Sequence, residues 1–384
     1  MDDREKAMVE DQRKRRMKKT IVFYIATLTR GGAERVIANL ANYFHTQGYR
    51  VYMVTLEPEE GLYPLAKGIH KVVLRTGECR SIAGRVTNVV RRVTMLRKLL
   101  KKTNAEAIVS FIGKTNLRAI LASLGLKTKV IVSVRSAPER EYAGKLRGTL
   151  ARFLFCLADG IAFQSEGARA FFPKPVRKKS RILLNPLSPE FLREPFAGER
   201  RNEIVTAGRM DPVKNHKLLV EAFALVVKER PEMRLTIYGD GDCMETVKKR
   251  VKKLGLSDKV NLPGDSRDIA GDMETARLFV LSSDFEGMPN AIAEAFALGI
   301  PVVSTDCPSG GAAALVRDKE TGLLVPVRDA EKMAAAILRI LNDRELEERL
   351  RQGALAFSQT LHPDRINGEW KAYVEDIIKG RNNE

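Results

Sequence analysis

A repeated exchange between two periodicities limits what this chain can fold into. From Thr20 onward, apolar runs of strand length alternate with amphipathic stretches of helical spacing. The runs are Thr20 to Leu28, Tyr49 to Glu57, Lys71 to Thr76, Ala107 to Ile112, Lys129 to Ser136, Gly160 to Ser165 and Arg181 to Leu184. The helical stretches fall at 32–47, 82–102, 115–124, 145–158 and 166–172. Such alternation predicts a parallel sheet with helices on both faces. After Asn185-Pro186, the segment Leu187 to Arg201 is rich in Pro, Arg and Glu and has no periodicity. The alternation restarts at Glu203 to Ala207 and runs through Arg234 to Tyr238, Lys259 to Leu262, Leu278 to Ser282, Pro301 to Thr305 and Gly322 to Val325, with helical stretches at 289–299 and 329–342. The α/β reading is therefore two doubly wound, Rossmann-like domains at 18–187 and 203–362, joined by a linker at 188–202. Residues 1–17, almost wholly polar, read as a mobile basic tail.

Length agrees, because 384 residues exceed what one compact core accommodates. Lys and Arg number 66 against 48 Asp and Glu, a net charge of +18 that favours anionic partners. The four cysteines, Cys79, Cys156, Cys243 and Cys307, are far apart, with neither metal-knuckle spacing nor a disulfide framework, so reduced thiols and a cytoplasmic site are expected. No apolar run approaches the roughly 18 residues that span a bilayer. Thr20 to Leu28 runs into Thr29-Arg30-Gly31-Gly32 rather than a small-residue cleavage site, and reads as a buried first strand.

Ligands of doubly wound sheets sit outside the carboxyl ends of the strands, and three such loops carry unusual residues. The most informative is Asp284-Phe285-Glu286-Gly287-Met288-Pro289-Asn290, followed by Glu294. Pro289 suits the first turn of a helix. Glu286 then lies in the loop, and Glu294 about 7.5 Å further along the axis. The amides from Gly287 to Asn290, at the positive end of the helix dipole, offer an anion site. A phosphate flanked by hydroxyl-binding carboxylates is the implied ligand. A second loop, Gly208-Arg209-Met210-Asp211-Pro212-Val213-Lys214-Asn215-His216, supplies Arg209 and Lys214, which together can neutralise a diphosphate. In the third, Gly31 and Gly32 permit close backbone approach to a phosphate or sugar, while Glu34 either binds a hydroxyl or favours the first helical turn.

These segments resemble glycosyltransferase family 4. The resemblance rests on Gly-Gly-Ala-Glu after the first strand, Gly-Arg-Met-Asp-Pro-Val-Lys-Asn, Tyr-Gly-Asp-Gly, Phe-Glu-Gly-Met-Pro-Asn with Glu294, and Gly299-Ile300-Pro301-Val302-Val303, in that order, and covers nearly all of 18–384. It implies the GT-B fold, an N-terminal acceptor domain facing a C-terminal nucleotide-sugar domain, and a C-terminal helix at 363–384 that packs back on the N-terminal domain. It also implies retaining transfer of a hexose or N-acetylhexosamine from a nucleotide-sugar, with UDP expected, to a glycan or polyprenyl-linked acceptor of surface polysaccharide synthesis, without cofactor or metal. Carried over, Arg209 and Lys214 hold the donor diphosphate, Glu294 the ribose, and Glu286 faces the transferred sugar. Gly287, Met288, Pro289, Asn290, Gly31 and Gly32 complete the donor site. Many relatives carry a histidine after an inner strand of the first domain, and none of His45, His70, His216 and His362 fits. The corresponding loop is Ser133 to Arg140, as in the surface-glycan branch of the family. There Arg135 either touches a donor or acceptor phosphate or forms a surface salt bridge.

Asp240-Gly241-Asp242 imitates a metal-binding D-x-D, yet it ends a strand, where Gly and Asp make tight βα turns. Arg80 to Lys102 holds eight basic residues and no acidic one. Ile82, Val86, Val89, Val93, Leu96 and Leu100 recur at helical spacing, a stripe expected in the core. The opposite face, with Arg85, Arg91, Arg92 and Lys98, is either merely solvated or docks on anionic lipid at the inner face of the cytoplasmic membrane. Two other readings stand beside the transferase. One is a nucleotide-sugar 2-epimerase of the same fold. The other is a basic membrane- or nucleic-acid-binding protein without catalysis, although no RNA-type aromatic signature accompanies the charge.

Overall fold

The computed structural model describes residues 19–29, 31–58, 63–77 and 81–381. The 1–17 tail, Arg30, Cys79 and Arg80 lie outside the described residues. The first half forms a seven-stranded sheet from β1 (Thr20–Tyr24), β2 (Arg50–Thr55), β3 (His70–Val73), β4 (Ala107–Phe111), β5 (Lys129–Ser133), β6 (Gly160–Phe163) and β7 (Ser180–Ile182). Their order is β3-β2-β1-β4-β5-β6-β7, all neighbours parallel. The second half forms a six-stranded parallel sheet from β8 (Arg201–Ala207), β9 (Arg234–Tyr238), β10 (Val260–Gly264), β11 (Ala276–Leu281), β12 (Val302–Thr305) and β13 (Gly322–Val325), in the order β10-β9-β8-β11-β12-β13. Both are doubly wound, and together they are the two Rossmann-like sheets of the GT-B architecture. Their strand orders reverse between β1 and β4 and between β8 and β11, so a crevice opens at those carboxyl ends.

Strand composition explains the burial. β1, β4 and β6 are buried at every position, as expected of parallel strands covered on both faces. β1 ends at Tyr24, short of the apolar run to Leu28. Beyond it the Ile25 amide donates to the Val54 carbonyl and the Leu56 amide to the Ala26 carbonyl, and Ile25 and Leu28 pack in the core from irregular backbone. The Pro363–Ile378 helix crosses back onto the first sheet. Its Trp370 ring lies 5.7 Å from Phe111, the Tyr373 hydroxyl accepts the Ile161 amide at 2.8 Å, and the Tyr49 hydroxyl donates to Glu375 at 2.6 Å.

The Ile82–Thr103 helix departs from its sequence reading. Ser81 caps it, its Oγ accepting the Gly84 amide, and Asn104 ends it in the left-handed conformation. Leu96 and Leu100 are buried, but the N-terminal half of the stripe is in water, with Ile82 80% and Val86 59% exposed. The helix is longer than the sheet face it covers, so only its last turns reach the core. Arg85, Arg91 and Lys98 are exposed, whereas Arg92 is half-buried with Nε shielded from solvent, which removes it from a purely solvated charged face.

Candidate active site

A cleft of 880 Å³ opens where the two sets of carboxyl-terminal loops face one another. Its walls include Gly31, Gly32 and Glu34 after β1, Arg135 and Arg140 after β5, Arg209 and Lys214 after β8, and Glu286 to Asn290 with Glu294 after β11. Motifs scattered over 260 residues of sequence thus meet in one crevice because each follows the carboxyl end of a strand at or next to a switch point.

The C-terminal wall is built from two loops stitched together. Asn215, in the left-handed conformation, caps the His216–Glu229 helix and donates through Nδ2 to Asp284 at 3.1 Å. The Asp284 amide bonds the Val213 carbonyl at 2.8 Å, and the Ser282 hydroxyl donates to the Lys214 carbonyl at 2.9 Å. This scaffold aims Lys214 at Glu286, with Nζ 2.6 Å from Oε1, and Ser283 Oγ donates to the same oxygen at 2.7 Å. Lys214 is 21% and Glu286 12% exposed, so a cation and an anion sit partly desolvated on the cleft floor. Arg209 is 71% exposed and, among the described residues, tethered only by Asp211 at 4.0 Å, leaving its guanidinium able to swing onto a ligand. Opposite, burial raises the Glu34 carboxyl above its usual range, opposed by the Glu34 backbone amide and by Arg209 across the gap. Its carboxylate lies over Gly31, where a Cβ would come within 2.1 Å of Oε2.

The Asn290–Ala297 helix starts one residue later than the proline suggested, with Pro289 as its cap. Glu294 is buried on its second turn and paired with Arg35 of the N-terminal domain. Two assignments in this loop need correction. Pro289 has no amide hydrogen, and the Met288 amide already donates to Gln164 at 3.2 Å while its sulfur accepts the Asn185 amide at 3.0 Å. Met288 and Pro289 therefore line the cleft without offering an amide donor to an anion, leaving the amides of Gly287, Asn290 and Ala291. Arg135 is corrected too. Its guanidinium is buried, stacked 4.0 Å over the Phe111 ring and 5.2 Å from Trp370, and bonded to Asn185. Burial lowers its pKa to about 9, so it stays charged at neutral pH. Among the described residues it forms no salt bridge, and Nε and Nη2 have no hydrogen-bond partner.

Sequence reasoning missed the polar groups that join the domains. Asn185 Nδ2 donates to Asn290 at 2.6 Å, Gln164 Nε2 to Asn185 at 2.7 Å, and Ser165 Oγ to the Ser309 carbonyl at 2.6 Å. The packing is so close that a Cβ at Gly287 would lie 2.3 Å from the Arg135 oxygen, and one at Gly167 2.5 Å from the Ser309 oxygen. A hint lay in the sequence, since Gln164-Ser165 and Asn185 end strands where polar residues interrupt apolar runs. Asp240 makes a turn, accepting the Gly241 amide at 2.7 Å between two glycines with positive φ. No histidine lines the cleft among the described residues.

Comparison with known proteins agrees with this geometry. The chain is 28% identical over 360 residues, 93% of its own length and 98% of the relative's, to a Campylobacter jejuni alpha-1,4-N-acetyl-D-galactosaminyltransferase named for the acceptor GalNAc-alpha-(1->4)-GalNAc-alpha-(1->3)-diNAcBac-PP-undecaprenol. A second C. jejuni enzyme, a diphospho-undecaprenol 4-alpha-N-acetylgalactosaminyltransferase, is 27% identical over 85% of this chain and 91% of its own. Among solved structures, Anabaena Alr3699/HepE with UDP and glucose superposes with a TM-score of 0.76 at 18% identity, over 92% of this chain and 99% of that one. The model of Glycosyltransferase Family 4 matches residues 30–191 and that of Glycosyl transferases group 1 matches residues 188–356. With the two models together spanning residues 30–356, one on each sheet, the chain belongs to glycosyltransferase family 4.

Proposed function

We propose that this glycosyltransferase moves a hexose or N-acetylhexosamine from a UDP-sugar to a lipid-linked saccharide in surface-glycan synthesis, with retention and without a metal. The observation that carries the reading is the Lys214 to Glu286 contact on the floor of a cleft that Arg209 and Glu294 also face. Arg209 and Lys214 would neutralise the departing diphosphate, the role a metal plays elsewhere. Glu294 would accept the ribose hydroxyls and Glu286 would orient the sugar. The bond from C1 to the phosphate oxygen breaks, the acceptor oxygen bonds C1 on the same face, and its proton passes to the leaving phosphate. The relatives' undecaprenol-linked acceptors, and UDP in a structural neighbour, support the substrate classes.

Ranking UDP-, GDP- and ADP-sugars by thermal shift tests the donor, since a ligand at a hundred times its Kd adds about 2.7 kcal/mol of stability. Transfer to an undecaprenyl-diphosphate saccharide should persist in EDTA, and the anomeric configuration of the product reads out retention. Loss of activity in EDTA overturns the metal-free reading. Donor consumption without acceptor, giving the C2 epimer, would make the protein an epimerase instead.

A further inference from the structure

The apolar surface that the protein leaves in water lies on one side of the N-terminal domain. Among the described residues, every exposed large apolar side chain except Leu192 falls between residues 82 and 157. Two stripes dominate. Ile82, Val86 and Val90 recur every four residues along the Ile82–Thr103 helix. Leu146, Leu150 and Phe153 recur at four and three along the Lys145–Phe155 helix, and are 83%, 50% and 63% exposed. These spacings put each set on one helix face, turned away from the core that Leu96, Leu100, Ala151 and Phe155 reach.

Both helices cover the same face of the first sheet. The Gly113–Ser123 helix packs between them, and Arg97 donates to the Ala122 carbonyl at 3.0 Å. The stripes therefore belong to one layer. The three helices contain twelve Lys and Arg and not one Asp or Glu. A second copy of this face would set like charges against like, so self-association is disfavoured. A bilayer of anionic phospholipid satisfies both features, with lipid phosphates for the cations and the acyl boundary for the aliphatic and phenyl side chains.

We propose that the 82–103 and 145–155 helices form a two-stripe platform that docks on anionic phospholipid by apolar insertion together with charge. This extends the single electrostatic helix expected from sequence. Ile112, which caps the Gly113–Ser123 helix, and Glu141, four residues before the Lys145–Phe155 helix, line the cleft, so the platform adjoins the acceptor side of the site. The function of the platform rests on the lipid-linked acceptor proposed above, but its existence is measured without any sugar.

Flotation with phosphatidylglycerol-containing vesicles, against pure phosphatidylcholine, is the test. The wild type should bind the anionic vesicles and retain part of that binding at 1 M salt, where charges are screened beyond about 3 Å. Leu146→Ser, Leu150→Ser and Phe153→Ser combined should lower partitioning at least tenfold and abolish the salt-resistant part, with the UDP thermal shift unchanged. A Phe153→Trp reporter, read against the buried Trp370, should shift to the blue and be quenched by brominated lipid. The proposal is overturned by unchanged binding of the serine variant, by no wild-type binding to phosphatidylglycerol, by a silent reporter, or by a lipid-free dimer that the serine substitutions dissolve.

Discussion

Replacing Lys214 by Ala separates a structural from a catalytic role for the cleft-floor ion pair. In the native protein the Glu286 carboxylate has two donors on one oxygen, Lys214 at 2.6 Å and Ser283 at 2.7 Å. Removing the lysine leaves a carboxylate that is 12% exposed with one hydroxyl donor. Breaking a fully buried pair costs about 3 to 5 kcal/mol, but here cleft water replaces the ammonium. The loss of one charge-assisted bond, about 1.5 to 3 kcal/mol, is therefore the ceiling for stability. Turnover should fall further, because a preorganised donor to developing charge is worth about 2.7 to 4 kcal/mol, a hundred- to a thousandfold in kcat. Urea unfolding and saturating-donor kinetics measure the two. Adding Glu286→Gln removes the stranded charge and should recover most of the stability and none of the turnover. A Lys214→Ala enzyme that turns over at the wild-type rate would refute the diphosphate role.

Glu294→Gln should weaken UDP binding at least tenfold by calorimetry, whereas Glu286→Gln should spare UDP and impair transfer. Arg35→Ala is the control, because a loss equal to that of Glu294→Gln would assign the effect to the interdomain pair rather than to ribose. Gly311→Ala forces a methyl onto the Gly287 oxygen, and displacing that loop should cost about 1 to 3 kcal/mol and abolish the UDP thermal shift. Burial, with Lys214 adding to it, lowers the His216 pKa from 6.5 to about 4. Between these values the unfolded chain binds a proton that the native state refuses, so stability falls as pH drops from 6.5 to 4. The loss should be about 2 kcal/mol by pH 5, absent in His216→Gln.

The sheets were legible because parallel strands buried on both faces need near-continuous apolar runs, and Ala107–Phe111 or Gly160–Phe163 can be little else. Arg209, Lys214, Glu286 and Glu294 were legible for a related reason, since charged residues directly after such runs fall at the switch-point crevice. Where pattern says which face is apolar but not what covers it, the reading failed. Ile82, Val86 and Val89 recur like a core stripe and stand in water. Arg135, read as touching a phosphate or forming a surface salt bridge, lines the cleft, makes no such bridge among the described residues, and is held between Phe111 and Trp370, one of them 235 residues away in sequence. Contacts of that separation carry no periodicity.

Arg135 also explains why the two domains can hold a defined cleft across a polar seam. A buried cation without an acidic neighbour is unfavourable unless something else compensates, and here two aromatic faces and Asn185 do so. Asn185 is thereby fixed, and its amide group orients both Asn290 and Gln164, the latter holding the Met288 amide. Trp370, on the helix that returns from the second domain, is thus connected through the side chains of Arg135, Asn185 and Gln164 to the loop bearing Glu286. Fixing that loop matters most for a group that acts by position, as proposed for Glu286, which would meet a sugar whose diphosphate Lys214 and Arg209 neutralise. A neutral residue at 135 would remove the reason for Asn185 to choose one orientation and would loosen the loop that bears Glu286.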